Sequence, residues 1–175
     1  MNNKDFAFLS LEENNSAGIN YSDLYDRLLD DCVDRANEEL KWFELSVELV
    51  DENDYEPDEL FEGTVGIFVA SMQTDMHTVP VYINKWAFIQ RCQELAISDS
   101  VNFKRELLLT LYHEAGHALI EKFWADEQLD TDELDEEDAV EEFAHYCYGD
   151  SCYSQLVEMY DKIDEDKDGD EPGVE

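Results

Sequence analysis

A chain of 175 residues, 43% of them hydrophobic, holds enough apolar material for one packed domain. Its 11 basic residues stand against 46 acidic ones, a formal charge of −35, so a nucleic-acid duplex or an anionic membrane surface would be repelled and direct binding to either is set aside. Basic proteins, cations and proteins that themselves bind DNA are the favoured partners; plain solubility, salt adaptation and a DNA-like surface all fit the same charge.

The opening MNNKDFAFLSLEENN has no basic region followed by an apolar one, and no apolar run in the chain is long enough to cross a bilayer. A cytoplasmic protein is expected. Cys32, Cys92, Cys147 and Cys152 form no C-x-x-C pair and read as buried reduced thiols. A second metal site from Cys147, Cys152 and His145 matches no established spacing.

Residues 1–20 read as an irregular segment, 21–163 as a single domain and 164–175 as an acidic mobile tail. Ser22 is placed to cap a helix from Asp23 to Phe43, with Leu24, Leu28, Cys32, Ala36 and Leu40 as its apolar stripe. Phe43, Leu45, Val47 and Leu49 alternate with polar residues, as in a first strand or a helix exit. Asp51–Glu59 is an acidic connection. Thr64–Ala70 and Thr78–Asn84 read as two strands of an antiparallel hairpin, and Pro80 argues for an edge position or a bulge in the second. Lys85–Ala96 reads as a helix. Asp99 or Ser100 then caps a helix over Val101–Trp124. Its apolar residues, among them Leu107, Leu108, Leu111, Ala115, Leu119, Ile120 and Phe123, surround much of its circumference, so it is expected to be central. Asp126–Asp138 is a nearly unbroken acidic stretch with no basic residue. A helix from Asp135 to Tyr148 stopped by Gly149, and a last helix over Ser154–Ile163, complete an α+β chain: mainly helical, with a small antiparallel hairpin or sheet packed on the central helix.

That central helix carries His113-Glu114-Ala115-Gly116-His117, an H-E-x-x-H motif. Histidines four residues apart share a helix face at about 5–6 Å between Cβ atoms, so both can reach one ion. Glu114 projects near the same face, where it can act as a general base. Gly116 lowers helix propensity by about 1 kcal/mol against alanine, which suggests the close approach of another backbone. A catalytic zinc takes three protein ligands. The metzincin extension would put a histidine at 123, and that residue is Phe123. The next helix offers Glu136, Glu137, Glu141, Glu142 and His145 as further donors.

H-E-x-x-H followed about twenty residues later by a glutamate on a second helix resembles the gluzincins. The run Glu137-x-x-Val140-x-x-Phe143-Ala144 resembles the E-x-x-A-x-x-F-A helix of small ImmA/IrrE-type peptidases and of similar small phage-encoded metallopeptidase-like proteins. The likeness covers Leu107–Tyr148. It implies a minimal zincin-like domain that binds Zn²⁺ through His113, His117 and Glu137, with Glu114 as the catalytic base. It also implies that Glu141 orients a ligand histidine and that a regulatory protein is the target, in the host cytoplasm if the chain is phage-encoded. Val140 stands where the family has alanine and Glu141 where it has asparagine, so Glu141 and His145 remain alternative third ligands.

His145, Tyr146 and Tyr148 are candidate oxyanion donors, and His77 a candidate at the rim of the cleft. Asp164–Glu175 partly matches an EF-hand loop, with Asp164, Asp166 and Asp168 as weak Ca²⁺ ligands; Glu171 and Pro172 depart from the pattern, and a disordered tail fits better. Two functions follow. One is a zinc-dependent metallopeptidase cleaving a peptide bond in a cytoplasmic protein. The other is an acidic DNA mimic or inhibitor that binds a basic or DNA-binding partner on a zincin-like scaffold, with or without peptidase activity.

Overall fold

The computed structural model describes residues 18–54, 64–73, 75–125, 135–150 and 156–161. The acidic connection beyond residue 54, the acidic stretch over 126–134 and the EF-hand-like tail lie outside them, as does nearly all of the N-terminal segment.

Helix α1, Tyr21–Leu40, buries Leu24, Cys32, Ala36 and Leu40 along one stripe. Its cap is Asn20, whose side chain accepts the Asp23 N–H at 3.0 Å, so the expected cap Ser22 falls inside the first turn. The helix also ends before Phe43. A 3₁₀ turn over Lys41–Phe43 follows, and Glu44 at φ 58° reverses the chain into strand β1, Ser46–Leu49.

Strands β2, Gly66–Phe68, and β3, Thr78–Ile83, form the expected antiparallel pair. The sheet has a third member, because β1 pairs with β3 in parallel and the order is β1-β3-β2. Pro80 therefore sits in the central strand, not at an edge. The register explains why this is tolerated. Pro80 faces Val69, whose N–H donates to the Pro80 carbonyl at 2.8 Å. The return bond that proline cannot make falls where β2 has already ended. On the other edge, the Asn37 amide stands in for a neighbouring strand. It donates to the Val47 carbonyl at 3.1 Å and accepts the Val47 N–H at 2.7 Å, which satisfies that edge at Val47.

Helix α2, Lys85–Glu94, is capped by Asn84, which accepts the Ala87 N–H at 3.1 Å. Helix α3, Ser100–Ala125, carries the H-E-x-x-H motif. Asp99 caps it, accepting the Asn102 N–H at 2.8 Å. Phe103, Leu107, Leu108, Leu111, Ala115 and Leu119 are buried on it. It packs against α1, β2, β3 and the next helix, which is why its apolar residues surround it. Helix α4, Glu136–Tyr148, starts at Asp135, whose side chain accepts the Asp138 N–H, and stops at Gly149 with φ 106°. Its buried residues, Ala139, Val140, Phe143 and Ala144, join the same core as α3. A helical piece over 156–161 adds Leu156, Val157 and Tyr160, with the Tyr160 ring edge-on to Phe143 at 4.9 Å.

The close approach at Gly116 is made by side chains, not by a backbone. A methyl group at 116 would lie 3.0 Å from Val140 Cβ and 3.1 Å from the Phe143 ring. Valine at 140 fills the space that glycine at 116 leaves. The architecture is α+β, and the sheet is mixed where a simple antiparallel one was expected. Among the described residues, no helix is long and apolar enough to cross a membrane.

Candidate functional site

His113 and His117 lie one turn apart on α3, with ring centroids separated by 5.0 Å. Glu137, in the first turn of α4, faces both. Its Oε2 is 3.5 Å from His113 Nε2 and its Oε1 is 3.6 Å from His117 Nε2. The three residues offer donor atoms that lie within 4.8 Å of one another, as a group able to hold a metal ion. Four-coordinate zinc with bonds of about 2.0–2.2 Å sets neighbouring ligand atoms about 3.3–3.6 Å apart, and each histidine Nε2 has a Glu137 oxygen at about that spacing, a different oxygen for each ring. Glu137 is 74% exposed while each imidazole is about one-fifth exposed, so the carboxylate closes the group from the solvent side.

Both imidazoles are held at their far nitrogens. His113 Nδ1 faces Glu141 Oε2 at 3.3 Å, and His117 Nδ1 faces Glu136 Oε1 at 2.8 Å. A proton on each Nδ1, donated to those carboxylates, leaves each Nε2 lone pair directed toward Glu137. Burial, and then the neighbouring His117, hold the His113 imidazole below the usual histidine range, although Glu137 and Glu141 oppose this. A low pKa suits a ring that must offer a lone pair.

Glu114 is only 5% exposed. Burial pushes its carboxyl up to about 7, against the smaller opposing effects of His117 and of a hydrogen bond donated by the Phe68 N–H. That bond follows from the strand register. Val69 N–H donates to Pro80 and Asn84 N–H donates to Val65, so residues 65, 67 and 69 turn their polar backbone toward β3. Gly66 and Phe68 turn theirs away from β3, where Glu114 meets Phe68. Gly66 leaves room for this: a methyl group there would lie 2.9 Å from Glu114 Oε1 and 3.0 Å from Thr110 Cγ2.

Two cavities meet at Gly66, His113, Glu114 and Glu137. The larger, about 440 Å³, reaches Arg91, Arg105 and His145. The smaller, about 330 Å³, reaches Phe68, Glu121 and Glu136. In the larger one, His145 Nδ1 lies 2.7 Å from Asp150 Oδ2, and Arg105 donates to that same oxygen at 2.8 Å. His145 Nε2 is 3.4 Å from Glu141 Oε1, so Glu141 stands between His113 and His145. Asp150 is held below the usual carboxylate range, first by the hydrogen bond from His145 and then by Arg105. Burial, then Glu136, raise the Glu121 carboxyl.

Of the alternative donors, Glu141 and His145 do not join the group formed by His113, His117 and Glu137. Glu142 is on the exposed side of α4. Tyr146 hydroxyl donates to Asp161 at 2.8 Å, and the Arg105 guanidinium lies 5.1 Å over the Tyr148 ring. His77 lies apart, on an exposed turn whose N–H donates to Asp75 at 2.7 Å. Cys32 and Cys92 are free and buried, with burial raising their thiols to about 11 and about 12. Cys147 is also free and its thiol raised, while Cys152 lies outside the described residues.

Residue patterns passed over Gly66, Glu136 as the partner of His117, and the Asp150–Arg105 pair. Only Gly66 carried a local signal, as a glycine inside a strand. Comparison with protein-family models, with curated proteins and with solved structures returned no match.

Proposed function

We propose that the chain is a zinc-dependent metallopeptidase that hydrolyses a peptide bond in a protein target. One observation carries this: His113, His117 and Glu137 converge on a common point while the buried Glu114 carboxyl lies against the same cleft. His113 Nε2, His117 Nε2 and a Glu137 oxygen would hold the ion. Zinc, when bound, supplies a Lewis acid that polarises the scissile carbonyl and activates water. Glu114 takes a proton from the attacking water and delivers it to the leaving amine, and a carboxyl near 7 suits both steps. The Phe68 N–H fixes the direction of that carboxyl. Gly66 turns its N–H and C=O away from β3, on the side of β2 that no other strand pairs among the described residues, and there offers backbone pairing to an extended substrate chain. Glu136 and Glu141 keep the two imidazoles in one tautomer.

The test is hydrolysis of a peptide library by zinc-loaded protein beside its Glu114→Gln variant. Cleavage by the wild type, reduced at least about a hundredfold in the variant, supports the proposal. Equal cleavage by both proteins removes Glu114 from the mechanism.

A second interpretation draws on helix α1. Asp26, Asp30, Asp34 and Glu38 are exposed at four-residue intervals, a row of carboxylates about 6 Å apart. Such a row favours an acidic protein that occupies the DNA-binding face of a basic partner. Tight, salt-sensitive binding to a DNA-binding protein that survives Glu114→Gln would favour this interpretation over the enzyme.

A further inference from the structure

The two cavities that meet at Glu114 differ in charge. Beyond the residues they share, the smaller one carries Glu121 and Glu136 and no lysine or arginine. The larger one carries both Arg91 and Arg105, together with His145, and its own two acids, Glu106 and Glu141, are set against Arg91 and His145. The contrast is informative in a chain with only 11 basic residues, two of which line one arm of one cleft. Both arginines keep donors to spare. Arg91 uses Nε toward Glu106 at 3.5 Å, and Arg105 uses Nη2 toward Asp150 at 2.8 Å. Each guanidinium has five N–H groups, so a further carboxylate can still be bound. Among the described residues, no lysine or arginine pairs with Glu121; the groups acting on it are Glu136 and His117, and Glu136 has the same sign.

We propose that the cleft reads the charge order of its substrate: a lysine or arginine side chain enters the Glu121–Glu136 arm, and an acidic side chain or a terminal carboxylate enters the Arg91–Arg105 arm. The bond to be cleaved then lies between residues of opposite charge, with the same order in every substrate. The overall charge of −35 draws basic proteins in from a distance, whereas the two arms select a segment in which basic and acidic residues flank one bond. This rests on the peptidase interpretation for what happens to the bound segment, but the charge order is a property of binding.

The experiment uses two ten-residue peptides of the same composition, one with lysine before and glutamate after a central apolar pair, the other reversed. Zinc-loaded wild type is tested for cleavage of both, and zinc-loaded Glu114→Gln for binding of both by fluorescence anisotropy. One peptide is expected to be preferred, by about threefold to fivefold for each charged contact, the size of an exposed ion pair. Glu121→Arg and Arg91→Glu, both at exposed positions, should each erode the preference, and together they should invert it. Equal binding of both peptides, or a preference untouched by both substitutions, overturns the proposal. A clear binding preference without cleavage of either peptide leaves the charge order standing and counts against the peptidase.

Discussion

Replacing Glu114 by glutamine should stabilise the metal-free protein, and the gain should grow with pH. Burial raises the carboxyl from 4.5 to about 7 in the folded chain. The folded state thus binds this proton more tightly than the unfolded state does. The sign follows directly: the group contributes no penalty below pH 4.5, where both states are protonated, and a full penalty above pH 7, where the folded protein must hold a buried carboxylate. At about 1.4 kcal/mol for each pH unit between the two values, the full penalty is about 3 kcal/mol. At pH 5 it is below about 1 kcal/mol, because that pH lies only about half a unit above the unfolded value of 4.5. Glutamine keeps the shape and can still accept the Phe68 N–H, but it carries no charge. Urea unfolding of both proteins in a chelator, at pH 5, 6, 7 and 8, measures the difference. The variant should gain roughly 2–3 kcal/mol relative to wild type across that range. A difference that stays flat with pH, or a variant less stable at pH 8, would refute the buried-carboxyl argument.

Four further outcomes follow from the packing and the hydrogen bonds. Gly66→Ala puts a methyl group 2.9 Å from Glu114 Oε1 and should cost about 1–3 kcal/mol by thermal melting, with a loss of peptide hydrolysis. Gly116→Ala should cost a similar amount by crowding Val140, and Val140→Ala should recover part of it, a coupling that a double-mutant cycle would measure. Asn37→Ala removes both bonds to the β1 edge and should lower stability by about 1–3 kcal/mol in urea. Glu136→Gln should weaken zinc binding about tenfold to a hundredfold in a chelator competition, because it loosens His117 at Nδ1.

The central helix was legible in the sequence because its signals are local. The histidine spacing, the apolar surround and the Asp99 cap all lie within one segment. Helix α4 was legible for the same reason, through Asp135 at its start and Gly149 at its end. The β2–β3 pair showed in two apolar runs. What escaped depends on residues distant in sequence. The parallel pairing of β1 with β3 joins Ser46 to Thr78, and without it Pro80 could only be read as an edge residue. Asn20 and Ser22 are both sound caps by type, and the first buried turn decides between them, since Tyr21 and Leu24 must both face the core. Three adjacent or near-adjacent glutamates on α4 could not be ranked by composition. The packing of Val140 and Phe143 onto Gly116 sets the rotation of α4, which points Glu137 at both Nε2 atoms and leaves Glu136 and Glu141 at the Nδ1 atoms. The Phe68–Glu114 bond likewise follows from strand register, which a three-residue strand barely announces.

The most direct test of the central claim is metal stoichiometry. Purified protein dialysed against zinc and then freed of excess metal should retain one zinc ion per chain by elemental analysis. His113→Ala, His117→Ala and Glu137→Ala should each retain far less while keeping the helical circular dichroism of the wild type. A wild type that retains no zinc, or three variants that bind it as well as the wild type does, would contradict the assignment of His113, His117 and Glu137 as a metal centre.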